Sequence, residues 1–251
     1  EFARLIADCQ PEIVSMENVS QLLHTEKVNV FKSFVDNLRN LGYQVWYEVV
    51  NCKNYGLPQN RRRLVLLASK LGEIKLIPPT HTEHPITVKD VIADLPPIKH
   101  GESNANDPLH KAAQLSPINL KRIQQSKQGG TWRDWDEDLQ LDCHKKTSGQ
   151  TYGSVYGRMR WDAPAPTITT QCYGIGNGRF GHPEQDRAIS LREAAILQGF
   201  PANYRFFDEA KKTYPPTRTI STHIGNAVPP VLGAVIAKSI KIHLQNYGKE
   251  K

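Results

Sequence analysis

Pro11-Glu12-Ile13-Val14-Ser15-Met16-Glu17-Asn18-Val19 decides how the chain is read. A proline opens the stretch, a short apolar run follows, and a carboxylate closes it. Such a run suits a buried parallel strand. Upstream, Phe2-Ala3-Arg4-Leu5-Ile6 reads as the end of a helix already under way at residue 1. Downstream, Phe31, Phe34, Val35 and Leu38 recur at i, i+3, i+4 and i+7. That spacing predicts an amphipathic helix from Val28 to Leu41, ended by Gly42. Tyr43 to Val50 is rich in β-branched and aromatic residues and reads as a strand, and Leu64 to Ala68 reads as another. The last two resemble a hairpin and can form an antiparallel sheet edge. Strand, helix, strand and strand together predict an α/β layer.

After Ser69 the texture changes. Pro78-Pro79, Pro96-Pro97 and many Thr, His and Asn residues break the periodicity. From about 80 to 185 turn signals dominate, with one short helix expected at Ile118 to Gln125. Helical texture returns at Ser190-Leu191-Arg192-Glu193, a capping box, and the helix runs on to Gly199 and Pro201. A last helix is expected to begin at Pro229-Pro230, since proline suits a first turn, and to dock on the α/β layer. Three regions follow: residues 1–79, an irregular domain over 80–189, and 190–251.

Among 251 residues, 32 Lys and Arg face 25 Asp and Glu, a formal charge of +7. Mean hydropathy is −0.51. The composition fits a folded soluble protein that does not repel a polyanion, and it names no partner. The apolar runs read as short of a membrane span, and no export signal is recognised at the start. Cys9, Cys52, Cys143 and Cys172 lack paired spacing and read as free thiols. No zinc spacing surrounds Cys143-His144, so no metal is expected. Cys9, inside a helix, is expected to be an inert buried thiol.

Glu17 and Asn18 follow an apolar strand, where α/β proteins place ligands. Glu17 is a candidate proton donor, although a glutamate after a strand is more often a solvated loop residue or a helix cap. Asn18 can orient the neighbouring loop. In Gln59-Asn60-Arg61-Arg62-Arg63, period-two geometry turns Gln59, Arg61 and Arg63 one way and Arg62 the other. Three arginines entering a buried strand need anions or carbonyls nearby: phosphates, a base edge, or Glu17. Gly129-Gly130-Thr131-Trp132-Arg133-Asp134-Trp135 and Tyr152-Gly153-Ser154-Val155-Tyr156-Gly157-Arg158-Met159-Arg160-Trp161 mix aromatics, bases and glycines. That composition serves nucleic-acid contact or a small aromatic core. Asp134, Asp136, Glu137 and Asp138 argue against one uniform basic patch.

In combination these segments resemble the C5-cytosine-specific DNA methyltransferase family, in its C-terminal part. Pro11 to Val19 is similar to the family's strand and Glu-Asn-Val motif. Tyr55-Gly56-Leu57-Pro58-Gln59-Asn60-Arg61-Arg62-Arg63 is similar to its Gln-x-Arg-x-Arg motif. Ser190-Leu191-Arg192-Glu193-Ala194-Ala195-Ile196-Leu197-Gln198-Gly199-Phe200-Pro201 resembles the motif closing the target-recognition domain. Ile224-Gly225-Asn226-Ala227-Val228-Pro229-Pro230 resembles the last motif, beside the S-adenosylmethionine pocket. The four stand in the family's order. The resemblance implies an α/β, incomplete Rossmann-like catalytic domain, an inserted irregular target-recognition domain, and a C-terminal helix returning to the catalytic domain.

The same resemblance implies roles. The family flips a cytosine out of double-stranded DNA, and a cysteine adds to C6. Glu17 matches the residue acting at N3, Arg63 the donor to O2, and Arg61 the residue organising the pocket. Asn226 matches a position near the cofactor's methionine end. Thr167 and Thr169, in Ala165-Pro166-Thr167-Ile168-Thr169-Thr170, match the part approaching the target and its phosphates. Asn18, Gln59, Arg158 and Arg160 are further expected DNA-contacting residues. The chain has no Phe-x-Gly-x-Gly loop, no acidic ribose-binding strand end and no Pro-Cys dipeptide. Asp8 stands before Cys9 where the family has proline, so Cys9 is not read as the nucleophile. The expectation is part of a bacterial, cytoplasmic modification methyltransferase, inactive alone, completed by an N-terminal catalytic segment of the same or another chain, with no membrane partner. The alternatives are an inactive DNA-binding fragment or remnant, and a half-domain stable only with its missing strands.

Overall fold

A computed structural model describes residues 1–24, 28–151, 153–208 and 214–248. Tyr152, quoted above in the mixed aromatic and basic segment, lies outside them. The chain divides into two compact units: Glu1–Gly56, Arg61–Thr82 and Pro230–Lys251 form one, and Leu57–Asn60 with Glu83–Pro229 form the other. Residues 190–229 therefore fall in the second unit, and the terminal helix in the first.

The first unit is built on a three-stranded sheet. Helix α1 (Phe2–Cys9) leads into β1 (Ile13–Val19), α2 (Val28–Asn40), β2 (Gln44–Asn51) and β3 (Arg62–Ser69). The order is β1-β3-β2, and both pairings are antiparallel. The parallel reading of β1 is thus corrected: among the described residues it pairs only with β3, antiparallel, with Ile13 opposite Ser69. An apolar run marks burial and leaves strand direction open, which explains the error. β3 is the central strand, and Leu64 to Ala68 have no exposed surface. The predicted face of α2 is the buried one: Phe31, Val35 and Leu38 pack with Ile6, Val14, Leu64 and Leu66. Gly42 follows α2 at φ 87°, a left-handed turn that glycine adopts without cost.

The second unit is irregular, with short helices α3 (Val88–Ile92), α4 (Pro117–Gln125), α5 (Asp142–Lys145), α6 (Leu191–Leu197) and α7 (Thr217–Asn226). Its main core gathers Val88, Ile92, Met159, Ile168, Phe180, Ala194, Leu197, Ile220 and Ile224. The expected Ser190 capping box is present: Ser190 Oγ accepts from the Glu193 amide at 3.1 Å, and Glu193 accepts from the Ser190 amide at 2.6 Å. The sequence reading missed α3, α5 and α7. α3 carries a second capping box, Thr87 with Asp90. α7 is rich in Thr, Ser and Gly, weak helix formers, and burial of Ile220 and Ile224 offsets that weakness.

Helix α8 (Pro230–Tyr247) belongs to the first unit. Ser239 Oγ accepts from the Ile77 amide at 3.0 Å, and the His243 ring hydrogen-bonds Ser69 Oγ at 2.8 Å. By length and composition the stretch Thr217–Tyr247, with an 18-residue window of hydropathy 1.3, reaches the range of a membrane span, which the contiguous apolar runs did not show. Ala227 to Pro229 interrupt it, and its two helices fall in different units.

Candidate active site

In an antiparallel pair, opposed residues share a face. Glu17 stands opposite Val65 and Val19 opposite Arg63, so Glu17 and Arg63 are diagonal neighbours on one face of β1 and β3. The diagonal is long for short side chains and suits a glutamate meeting an arginine. Arg63 Nε donates to Glu17 Oε1 at 2.8 Å; the side chains are 14% and 17% exposed. Arg63 Nη1 donates to the Arg62 carbonyl at 2.8 Å, which helps fix the guanidinium plane. The pair is therefore oriented and still open to solvent.

Arg61 is buried and Arg62 exposed, the alternation expected at the entry of a strand. Burial, and then the charge of Arg63, push the Arg61 guanidinium down to about 10, so it remains a cation at neutral pH. Cys52 lies within electrostatic reach of Arg63, Arg61 and Glu17, and its amide donates to the Arg61 carbonyl at 2.8 Å. Burial raises its thiol to about 11. A buried thiol of that kind is no nucleophile at neutral pH. Cys9, by contrast, is exposed, which corrects the expectation of a buried thiol. Helix α1 ends at Cys9, and Gln10 turns the chain in the left-handed region.

Asn18 is exposed, and its Oδ1 accepts from the Val19 amide at 2.8 Å, so it caps its own backbone. In the second unit, Thr167 and Thr169 are exposed on either side of buried Ile168. Asn226 is exposed at the end of α7. Arg160 is exposed and grips Asp162 through Nε and Nη2 at 2.8 and 2.7 Å.

Two of the expected DNA-contacting residues are enclosed by the fold. Arg158 is 5% exposed. Its donors go to the carbonyls of Ser126, His182, Gln185 and Ile123 and to the Asp186 carboxylate. It ties the end of α4 to the loop at 182–186 in an irregular unit, where backbone carbonyls lack sheet partners. Gln59 has no exposed surface, and its amide bonds Leu197, Gln198 and Ile168 inside the second unit. Composition marks both residues as polar and cannot show that the fold encloses them.

The sequence reading also missed a sealed carboxylate–guanidinium pair. Arg187 Nη1 and Nη2 donate to Glu193 Oε2 and Oε1 at 2.7 and 2.8 Å, with both side chains 1% exposed. Burial alone would raise the Glu193 carboxyl, yet the hydrogen bonds and charge of Arg187 hold it below the usual range. The capping box named Glu193; nothing at sequence level paired it with Arg187.

The model of the family described as C-5 cytosine-specific DNA methylase matches residues 1–242. The type II methylase M.HgiDII of Herpetosiphon aurantiacus is 57% identical over 246 residues, covering 98% of this chain and 69% of that protein. The type II methyltransferase M1.BsuMI of Bacillus subtilis (strain 168) is 33% identical over 237 residues, 94% of this chain and 52% of that protein. Among solved structures, one described as a DNA modification methyltransferase encoded within an E. coli prophage superposes with a TM-score of 0.72 at 21% identity. It covers 97% of this chain and 73% of that one, a likeness of fold.

Proposed function

The chain belongs to the C-5 cytosine-specific DNA methylase family, and from that premise we propose that it is the base-holding and DNA-reading part of a DNA (cytosine-5)-methyltransferase. The observation that carries the proposal is the Glu17–Arg63 pair, oriented and partly open on one sheet face. A pyrimidine offers a carbonyl oxygen and a ring nitrogen side by side. Arg63 donates to the cytosine O2, while Glu17 holds a proton at N3. Negative charge grows on that edge when a nucleophile adds to C6, so both contacts strengthen toward the transition state. Arg61, a buried cation behind them, adds positive potential and supports the strand entry. Such chemistry needs the base out of the duplex, which exposes the ring edge and both faces.

The thiolate is the part these residues do not supply. Cys52 and Cys172 are buried, with thiols raised to about 11 by burial, and no Pro-Cys dipeptide occurs in the sequence. For the methyl donor, S-adenosylmethionine, the sequence offers Asn226, which is exposed, and neither a Phe-x-Gly-x-Gly loop nor the acidic ribose-binding strand end. The residues of this chain do not by themselves fit the cofactor. The chain alone is inactive in this reading, and an N-terminal segment carrying the nucleophile completes it on double-stranded DNA, in the setting of bacterial cytoplasmic modification.

The second unit is the target-recognition domain in this reading, with Thr167, Thr169 and Arg160 presented to DNA. The test is labelled methyl transfer to duplex DNA by the chain alone and with a complementing N-terminal segment. Activity only in the complemented reaction, lost in Glu17→Ala, is expected. Full transfer by the complemented Glu17→Ala protein would end the proposal. Sequence-selective binding without any rescue would favour the DNA-binding alternative.

A further inference from the structure

Gln59 and Gln198 are both completely buried. Gln59 Nε2 donates to the Leu197 carbonyl at 3.0 Å and to Gln198 Oε1 at 2.9 Å, and its Oε1 accepts from the Ile168 amide at 2.9 Å. Gln198 passes the connection on, its Nε2 donating to the Ala227 carbonyl at 2.8 Å. Two uncharged amides thus join four segments of the second unit: residues 57–60, the loop at 165–170, the end of α6, and the residue after α7.

The loop is held from both sides. The Ala165 amide donates to the Pro58 carbonyl at 2.9 Å, and the Asn60 amide donates to the Ala165 carbonyl at 2.8 Å. Thr167 Oγ1 donates to the Asn60 carbonyl at 2.6 Å, and Ser221 Oγ to the Thr170 carbonyl at 2.5 Å. Behind the loop, Gly225 of α7 leaves no space: a Cβ there would sit 2.5 Å from backbone atoms of Thr169 and Thr170. Apolar side chains of equal volume would fill the same space. Buried amides add something packing does not, because each donor and acceptor accepts only one register of its partners.

We infer that the Gln59–Gln198 pair is a register lock that positions the exposed Thr167–Thr169 stretch against the end of α7. Both glutamines are positioning residues, acting on DNA through the loop. The inference rests on the reading of that loop as DNA-facing. Without the lock the loop keeps its neighbours but slides among several settings, and base contacts, which are directional, fade before phosphate contacts do.

The test uses the full chain and the near-isosteric variants Gln59→Met and Gln198→Met. Amide hydrogen exchange at Ile168 is read first. Exchange at least about fivefold faster is expected in both variants, the loss of one buried hydrogen bond; Gln198 does not touch that amide, so its effect reports coupling. Sequence enrichment from a randomised duplex pool is read second, beside affinity for one arbitrary duplex. The variants are expected to lose enrichment while the arbitrary duplex binds within about twofold, because phosphate contacts carry non-specific affinity. Wild-type exchange at Ile168 in Gln198→Met overturns the lock, as does retained enrichment in Gln59→Met. Gln198→Met leaves every loop contact in place and carries the test if Gln59→Met does not fold. A wild-type chain that enriches no sequence would sink the DNA-reading proposal, and Ile168 exchange then decides the lock by itself.

Discussion

Of the carboxylate–guanidinium pairs in this protein, two, one in each unit, are built for opposite ends. Glu17 and Arg63 share a single 2.8 Å contact and keep 17% and 14% of their side chains exposed. Glu193 and Arg187 share two contacts and are sealed. The sealed pair has no way to meet a ligand. It joins the chain just before α6 to the cap of α6, and it stabilises an irregular unit with few regular hydrogen-bond ladders. In the proposed function the open pair trades its partner for a base edge. The same two functional groups form a sealed structural joint in one unit and a solvent-accessible pair in the other.

The largest effect expected from that contrast is Arg187→Ala. It leaves Glu193 ionised and unpaired in the interior, at a cost of about 3–5 kcal/mol, read as a lowered denaturation midpoint. Next comes Glu17→Gln. In a complemented enzyme it should slow methyl transfer by about 10²–10³-fold, with a stability change below about 1 kcal/mol because the pair is partly screened. Equal destabilisation by the two substitutions would erase the distinction.

A third effect is acid sensitivity of the sealed region. His182 lies with its Nε2 3.7 Å from Glu193, and burial pushes its ring down to about 4. A folded-state value below the unfolded one means that stability is fully present above about 6.5 and lost as pH falls through about 4. Roughly 2–3 kcal/mol should disappear across that window, and the depressed Glu193 carboxyl adds to the loss with the same sign. Denaturation midpoints from pH 7 to 4 check this, and His182→Asn should flatten the upper part of the slope. The smallest effect is at the surface. Arg160→Ala should leave the melting temperature unchanged and lower the salt dependence of DNA binding by about one phosphate contact.

Much of the first unit was legible in residues alone. The spacing of Phe31, Val35 and Leu38 predicted the buried face of α2, and the run Leu64 to Ala68 predicted a buried strand. Strand direction was not, because β1 looks the same in either orientation. α7 escaped for a different reason: its helicity comes from Ile220 and Ile224 entering a core assembled from distant segments. In the candidate site, the alternation of Arg61 and Arg62 could be read from period two, while the burial of Arg158 and Gln59 could not.

Sequence by itself determined the family, through four motifs in order, and marked Glu17, Arg61 and Arg63 as residues to watch, because local spacing and residue chemistry survive in one dimension. Only the tertiary structure decided which polar groups meet solvent and which vanish into the interior. Glu17 finds Arg63 across two paired strands, Glu193 finds Arg187 beneath a helix cap, and Gln59 finds Gln198 from 139 positions away. Burial and long-range pairing depend on how the whole chain closes, and no window of residues contains that information.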